Sequence, residues 1–489
     1  MTDVRGRVYV RQILADEAHS HQPRFTLLTE TFPSIPADAM ARPMRVAAQL
    51  RTSWRDPLQV LSAFAGEPWA IAFLSGGQGP RARWSYLARR PDAVLTMRGD
   101  DGREPFRALA ELLGPLGETG RDGPPFQGGL AGLASYELGD RVEPLGLARG
   151  PDWPDLAVGL YSSVLAFDHE RRQVIAVGRG YDEADSEQAA FEAMSWLQDL
   201  PRPATRGPLT EGLAASDPAA YETAVAEVVA RIHAGEIFQA NIARRWAGRL
   251  AAGVTPFDLL ARLAGQSAAP FAAYLRLAGL AVVSNSPERF IQVDADGGAE
   301  TRPIKGTRPR GATEADDAGM RGELAASLKD RAENLMIVDL MRNDLARVCA
   351  PGSVKAPELF AVESFTNVHH LVSTVRGRLA AGKTAIDLLR AAFPPGSITG
   401  APKVQAMKVI AGLETARGPY CGSLFWAGVG GAFDSSVLIR TAACVQDEQG
   451  WRIEARAGAG IVADSEPRAE RIETEDKIAA LLRALEAGA

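Results

Sequence analysis

The ten residues at 301–310, TRPIKGTRPR, place one lysine among three arginines, two prolines and a glycine. Strand-like segments at 281–284 and 289–293 precede it, and Pro303 and Pro309 stiffen its ends, so Lys305 and Gly306 are expected on a tight, well-held turn. An amine crowded there by Arg302, Arg308 and Arg310 is pushed toward its neutral, nucleophilic form, and the same charges attract anions. A solvated basic loop has the same composition, so the stretch by itself leaves nucleophile and surface loop both open.

Paired acids occur twice. Residues 314–348 read as long helical material with Asp330 and Glu333 three apart, hence on one face. Residues 469–487 read as a helix whose Ile472, Ile478, Leu481, Leu482 and Leu485 serve a core while Glu470, Glu473 and Lys477 share another side. If the two helices face each other, four carboxylates need a hard dication between them. An all-oxygen set with room for water and a substrate carboxylate suits Mg²⁺. Two solvated helix faces, with Glu473 and Lys477 as a simple i,i+4 ion pair, fit the same spacing.

Gly458, Ala459 and Gly460 follow a strand-like run at 452–457. Their backbone N–H groups can cradle an anion, with Arg440 supplying a two-pronged fork for a carboxylate. Nucleotide binding is the competing reading, and it fails on spacing. In GSITGAPK at 396–403, Ala401 and Pro402 separate the glycine from the lysine that a phosphate loop needs directly after it. GAGIVA at 458–463 leads into a helix but to no second parallel strand with a ribose-binding acid.

Strands and helices from the whole length must position these groups. The first two hundred residues read as mixed: strands at 68–75, 83–88 and 93–98, a glycine-rich apolar segment GGLAGLASYEL at 128–138, and a hairpin of 158–167 with 173–178 around Asp168 and His169. An amphipathic helix is expected at 186–200, and the Pro/Gly-rich 201–216 reads as a connector. Then Asp217 can cap a helix, Pro218 suits its first position, and Tyr221, Val225, Val228, Val229 and Ile232 recur at helical spacing until Gly235. A strand is expected at 237–250.

At 489 residues, 46% of them hydrophobic, the chain has material for large cores and roughly three domains. A net charge of −6 argues against a nucleic-acid binder, so an anionic small substrate needs a local basic pocket. Cys349, Cys421 and Cys444 form no CxxC pair, which points to a reducing cytoplasm and to no zinc site. The opening MTDVRGRVYVRQ lacks an apolar signal core, and no apolar run approaches the roughly 18 residues a bilayer crossing needs. A cytoplasmic chain without a membrane partner is expected.

Five stretches, in order, resemble the chorismate-utilising enzymes: PIKGTRPRG from Pro303, DRAENLMIVDLMRNDLARV from Asp330, NVHHLVSTV from Asn367, FPPGSITGAPKVQAM from Phe393, and AGAGIVADS with ERIETEDK in the tail. The resemblance runs from about residue 216 onward and, more loosely, through GGLAGLASYEL. Within the family it is closer to the enzymes that aminate chorismate at C4 than to those that form anthranilate. It implies an α+β fold: a large sandwich of two antiparallel β-sheets with helices packed outside and the active site in a central cleft. Residues 1–205 would be an N-terminal α+β region contributing to the sandwich, and 216–489 the chorismate-binding catalytic region.

The resemblance also implies roles. Similar anthranilate-forming enzymes carry alanine in the PIKGT position; the lysine here implies that Lys305 attacks C2 of the ring, expels the C4 hydroxyl across the diene, and is displaced when ammonia enters at C4. The product would be 4-amino-4-deoxychorismate, on the way to p-aminobenzoate and folate. Glu288, in SPERF, matches the family's general acid, an ion pair with Arg289 being the plainer alternative. His370 matches a histidine beside the reacting ring, where a backbone-bonded core histidine is the alternative. Glu333 and Glu473 would bind Mg²⁺ directly, Asp330 and Glu470 through water. Tyr420, Arg440, the backbone of Gly458, Ala459 and Gly460, and Lys477 would hold chorismate's two carboxylates, with Gly306 and Thr307 close by. Gln239 stands where water-adding relatives keep a base lysine, which disfavours isochorismate formation.

No cysteine lies in a GxCxG glutaminase elbow, so the resemblance implies a separate glutaminase subunit supplying the ammonia. Leu27, Leu28, Thr29, Glu30 and Thr31 only approximate the LLES element of tryptophan-inhibited anthranilate synthases, so tryptophan inhibition is not expected. Two other functions compete. An anthranilate synthase component would release pyruvate and tolerate loss of Lys305, and a non-catalytic subunit would bind chorismate or dock a glutaminase without turnover.

Overall fold

The segments Gly129–Ala134 (GLAGLA) and Leu156–Tyr161 (LAVGLY) carry little or no polarity on either face, and both are buried along their whole length. Strands of that kind need cover on both sides. The computed structural model describes residues 46–486, except 77–81, 118, 120–122, 268 and 366–367, and supplies that cover with two large antiparallel sheets. The LLTET segment at 27–31 lies outside the described residues.

Among the described residues the first sheet has twelve strands. Its order is Val46–Ser53, Gln173–Gly180, Ser163–Asp168, Trp84–Ala88, Ile71–Leu74, Phe271–Leu277, Leu280–Ser286, Thr441–Asp447, Gly450–Ile461 and Gln239–Leu250, the last flanked by Gly400–Ala401 and Thr210–Ala215. The second, among the same described residues, has ten strands. Val368–Arg378 pairs with Ile304–Pro309, Gly298–Thr301 and Lys355–Ser364; beyond Gly298–Thr301 come Arg289–Val293, Phe433–Val437, Ser423–Gly428, Gly129–Ala134, Leu156–Tyr161 and Ala93–Met97. Both sheets therefore draw strands from either side of the 206–215 segment.

Three layers of apolar contact follow. Between the sheets, Ile71, Val164, Val177 and Leu275 of the first meet Ala131, Leu133, Leu424 and Trp426 of the second. Tyr86 meets Trp426 edge-on at 5.8 Å, and Phe126 stacks on the same indole at 5.1 Å. Such pairs contribute about 0.5–1.5 kcal/mol each beyond their area. Phe425, next to Trp426, points the other way and packs with Ile337, Leu389 and Phe433 beneath the outer helices, as the two-residue period of a strand demands. On the far side of the first sheet, Trp246, Ile453 and Ala455 pack against Leu481 and Leu485. This is the sandwich with external helices that the resemblance implied.

Several local expectations change. The hairpin strand read at 158–167 is two strands in different sheets: Leu156–Tyr161 belongs to the second, and only Ser163–Asp168 pairs with Gln173–Gly180. The helical material at 314–348 is two helices, Glu314–Ala326 and Leu328–Ala346, because Ser327 turns extended and caps the second, its Oγ accepting the Asp330 N–H at 3.2 Å. The connector contains the strand Thr210–Ala215. The helix Pro218–His233, capped by Asp217, and the final helix Pro467–Glu486 form where the sequence places them, but Ile472, read as a core residue, is exposed.

Candidate active site

Two of the places where the chain crosses between the sheets lie side by side. Leu280–Ser286 ends in the first sheet and Arg289–Val293 begins in the second, leaving Glu288 at the corner. Phe433–Val437 returns to Thr441–Asp447 through Arg440, whose φ of 53° turns the chain sharply. The Val437 N–H donates to the Glu288 carbonyl at 3.0 Å and the Asn285 N–H to the Arg440 carbonyl at 3.1 Å, so the corners brace each other. A cleft of about 2020 Å³ opens beside them. Every candidate residue named above lines it except Gln239 and Ala459, the latter with its methyl group buried among Ile242, Val225 and Ile410.

Lys305 reaches the cleft by a bulge rather than a turn. Ile304 pairs with Val372 and Thr307 with His370, three steps on one strand against two on the other, so Lys305 and Gly306 are pushed out of register. Gly306 takes φ 83°, and a Cβ there would stand 2.8 Å from the Asp330 carboxyl carbon and 2.9 Å from a Leu324 methyl. The three arginines do not crowd the amine. Arg302 pairs with Glu363, Arg308 with Glu323 and Asp330, and Arg310 with Asp317, so their charges are met by carboxylates. Burial instead holds the Lys305 amine below the usual lysine range; Lys477 adds to the effect, while Glu333 and Glu288 oppose it. Lys305 Nζ donates to the Ser397 carbonyl at 3.4 Å.

Burial raises Glu288 to about 7, despite hydrogen bonds from the Ser397 side chain and the Ile304 backbone and the nearby Lys305. It makes no pair with Arg289, which is bound to Asp434 and Glu300. Glu288 is thus a carboxyl that keeps its proton near neutrality, as a proton donor needs. His370 is buried with Nδ1 2.9 Å from Thr307 Oγ1. Burial and Arg440 lower it to about 4, so near neutrality it is the uncharged imidazole.

Gly458, Ala459 and Gly460 are not a turn after a strand; they continue it to Ile461. Asn241 sends its N–H to Thr399 and Ala243 to Glu414, both away from that strand, so Gly460 and Gly458 opposite them are the non-bonded pairs. Their own N–H and C=O groups therefore point to the other edge, where pairing with Thr441–Asp447 has ended at Ala455. Lys477 Nζ donates to the Gly458 carbonyl at 2.9 Å. A Cβ on Gly458 would stand 2.9 Å from the Tyr420 hydroxyl, and one on Gly460 would stand 3.2 Å from Lys305 Nζ. The glycines are there for close approach. Arg440 lies in the same wall, with burial lowering its affinity for the proton and the Tyr420 hydroxyl opposing that. Gln239 and Asn241 add buried side-chain atoms without hydrogen-bond partners: both amide atoms of the first and Oδ1 of the second.

The acids arrive on helices of opposite sheets. Glu333 sits on Leu328–Ala346, tied to the second sheet by Asn334, which donates to the Pro303 and Leu371 carbonyls at 3.4 Å. Glu473 and Glu470 sit on Pro467–Glu486 against the first. Burial raises Glu333, and Asp330 and Glu473 add to the rise against Lys305 and Lys329. Burial also raises Glu470, although Ser465 Oγ donates to it at 2.6 Å. Burial acts on Glu473 too, but Lys477 at 2.5 Å outweighs it and holds that carboxyl below its ordinary value. Asp330 pairs with Arg308 at 3.2 Å. Among the described residues no three acids, histidines or cysteines converge as a ready-made metal cage. The donor set nevertheless fits Mg²⁺, which takes one or two carboxylates and completes its shell with waters and substrate oxygens. Glu333, half-buried, and Glu473, exposed at the cleft, carry like charges that raise Glu333 and that a dication would relieve.

The sequence profile of the chorismate binding enzymes matches residues 71–483. The chain belongs to that family. The aminodeoxychorismate synthase component 1 of Klebsiella aerogenes is 40% identical, covering 90% of this chain and 99% of that protein. Its counterpart in Salmonella typhimurium is 42% identical over 86% and 93%. The anthranilate synthase component 1 of Thermus thermophilus is 38% identical over 90% and 95%. Among solved structures, anthranilate synthase component I from Streptococcus pneumoniae superposes with a TM-score of 0.73 at 27% identity, covering 83% of this chain and 93% of that one. The resemblance carried by the five motifs and this membership agree. As a family member the chain is a chorismate-utilising enzyme, and no described helix is long and apolar enough to cross a membrane.

Ser397 and Asn241 were not singled out from sequence. Ser397 sat inside the GSITGAPK motif, dismissed there as a phosphate loop; Lys403 of that motif is buried against Asp344 at 2.7 Å.

Proposed function

We propose that this enzyme aminates chorismate at C4 to 4-amino-4-deoxychorismate, through a covalent adduct of Lys305 at C2. The observation that carries the reading is a half-buried lysine at the bulge, its ammonium form disfavoured, set beside a carboxyl that holds its proton to about pH 7. The Lys305 amine donates its lone pair to C2; the two ring double bonds shift, the C4–O bond breaks, and Glu288 gives its proton to the departing oxygen, which leaves as water. Ammonia then bonds to C4, the double bonds shift back, and Lys305 leaves C2 as a neutral amine. The new ammonium at C4 returns a proton to Glu288, so chorismate and ammonia give the amine and water.

Tyr420, Arg440 and Lys477, with the outward-turned Gly458 and Gly460 amides, would orient the substrate carboxylates, and neutral His370 would flank the ring without adding charge. Glu333 and Glu473 would hold Mg²⁺, with Asp330 and Glu470 supporting through water; when bound, the ion would neutralise the ring carboxylate and draw electron density from the diene. The names of the relatives, each a component 1, support a second component, which we take to be a glutaminase supplying ammonia from glutamine. The test is chorismate with Mg²⁺ and enzyme, read by intact mass. Without ammonia, an adduct on Lys305 is expected; adding ammonium should discharge it to the amino product with no pyruvate. Anthranilate and pyruvate as products, or an undiminished rate in Lys305→Ala, would overturn the reading.

A further inference from the structure

Behind the cleft lies a charged group that does not line it. Arg417 is 3% exposed and follows the helix Lys403–Leu413. Its Nε and Nη2 grip Glu414 at 3.0 and 2.8 Å, Nη1 donates to the Ile398 carbonyl at 3.2 Å, and Nη2 also donates to the Asn241 carbonyl at 2.7 Å. The guanidinium carbon lies 5.7 Å from the centre of the Tyr420 ring and 4.8 Å from that of Tyr136. Glu414 in turn accepts the Ala243 N–H at 2.8 Å.

Three of these contacts end on residues that line the cleft: Ile398, Asn241 and Tyr420. Ile398 closes the 3-10 turn Gly396–Ile398, whose Ser397 touches both Lys305 and Glu288. Asn241 faces Gly460 across the first sheet, and the Tyr420 hydroxyl faces Gly458. A buried ion pair is seldom worth more than well-packed apolar side chains of the same volume. A planar fork with fixed donors is what such a pair adds that an apolar cluster cannot.

We propose that Arg417, fixed by Glu414, is a positioning residue that sets three walls of the cleft from behind: the Ser397 turn, the Asn241 segment and the Tyr420 ring. Its fork holds Ser397 where the reacting lysine and the proton donor both meet it. The inference rests on the amination reading for its assay. Turnover with ammonium and Mg²⁺ is measured per folded site for Arg417→Lys, which keeps the charge but loses the fork, and for the double variant Arg417→Met with Glu414→Gln, which removes the pair together. Thermal unfolding and circular dichroism give the folded fraction. Both variants should lose about a hundredfold in kcat, the scale of a 1 Å misplacement, with KM for chorismate within about threefold. If Arg417→Lys fails to fold, the double variant decides. If that one also fails, Arg417→Ala refolded with added guanidinium should regain turnover, and an equal concentration of sodium chloride should not support it.

A folded double variant with kcat within about threefold of the parent overturns the proposal, as does a guanidinium-refolded protein that stays inactive. A parent enzyme that makes no amino product refutes the amination reading instead, so the two failures are distinguishable.

Discussion

At the residue scale the proposed amination turns on two groups whose charges burial disfavours. Lys305 must be neutral to attack, and burial lowers it; Glu288 must be protonated to release water, and burial raises it to about 7. The rate should therefore rise with pH as the lysine loses its proton and fall above about pH 7 as Glu288 loses its own. Glu288→Gln should flatten the upper limb and cost about 10²–10⁴-fold in kcat. The same shift bears on stability. Glu288 has a folded value above its ordinary 4.5, so between the two values the folded state binds more protons than the unfolded one. Stability then falls as pH rises from about 4.5 to about 7 and stays reduced above, by up to about 3 kcal/mol. Glu288→Gln lacks this penalty, so its unfolding free energy relative to the parent should climb between pH 5 and pH 8. A constant difference across that range would show that Glu288 ionises freely in the fold. Much of this residue set was legible beforehand, because a lysine between stiffened ends and acids at helical spacing are local patterns. The cause of the lowered lysine was misread: the neighbouring arginines are spent on Glu363, Glu323, Asp330 and Asp317. Ser397 acts through contacts with residues about a hundred positions away, which no local pattern records.

At the element scale, two glycines separate fold from function. Gly306 is at φ 83° with Asp330 and Leu324 packed on it, so Gly306→Ala should destabilise by about 1–3 kcal/mol and lower the melting temperature. Gly460 lies in ordinary strand geometry. The atoms nearest a methyl group there would be the ends of two side chains, Gln239 Nε2 at 2.7 Å and Lys305 Nζ at 3.2 Å. Gly460→Ala should melt close to the parent yet lose tenfold or more in kcat, because the methyl crowds the proposed nucleophile. Equal losses of stability in both variants would refute the distinction. Periodicity revealed the helices Pro218–His233 and Pro467–Glu486 because each has one apolar face. It could not reveal that 158–167 changes sheets near Ser162, since strands covered on both faces show no alternation at which a crossover would register. The bulge at Lys305 was equally hidden, being a property of register with Val368–Arg378 and not of its own residues.

At the scale of the whole molecule, neither sheet divides at 206–215. Ile71–Leu74 pairs with Phe271–Leu277, Leu74 facing Ala272, so the N-terminal strands extend the first sheet through its middle. Gly129–Ala134 pairs with Ser423–Gly428 over its full length and continues the second sheet to Ala93–Met97. Cutting the chain at 206–215 would leave two long unpaired edges and uncover the inter-sheet cluster around Trp426, Leu424 and Leu275. Exposed edges of that length pair wrongly, and an apolar layer open on one side does not stay packed. Residues 206–489 alone, although they carry every proposed catalytic group, should therefore unfold in urea without a sharp transition and form no adduct with chorismate. Co-expression with residues 1–205 should restore both. A cooperative transition of the isolated 206–489 piece, with an m value proportionate to its own length, would mean that the catalytic half holds its sheets without the strands that complete them.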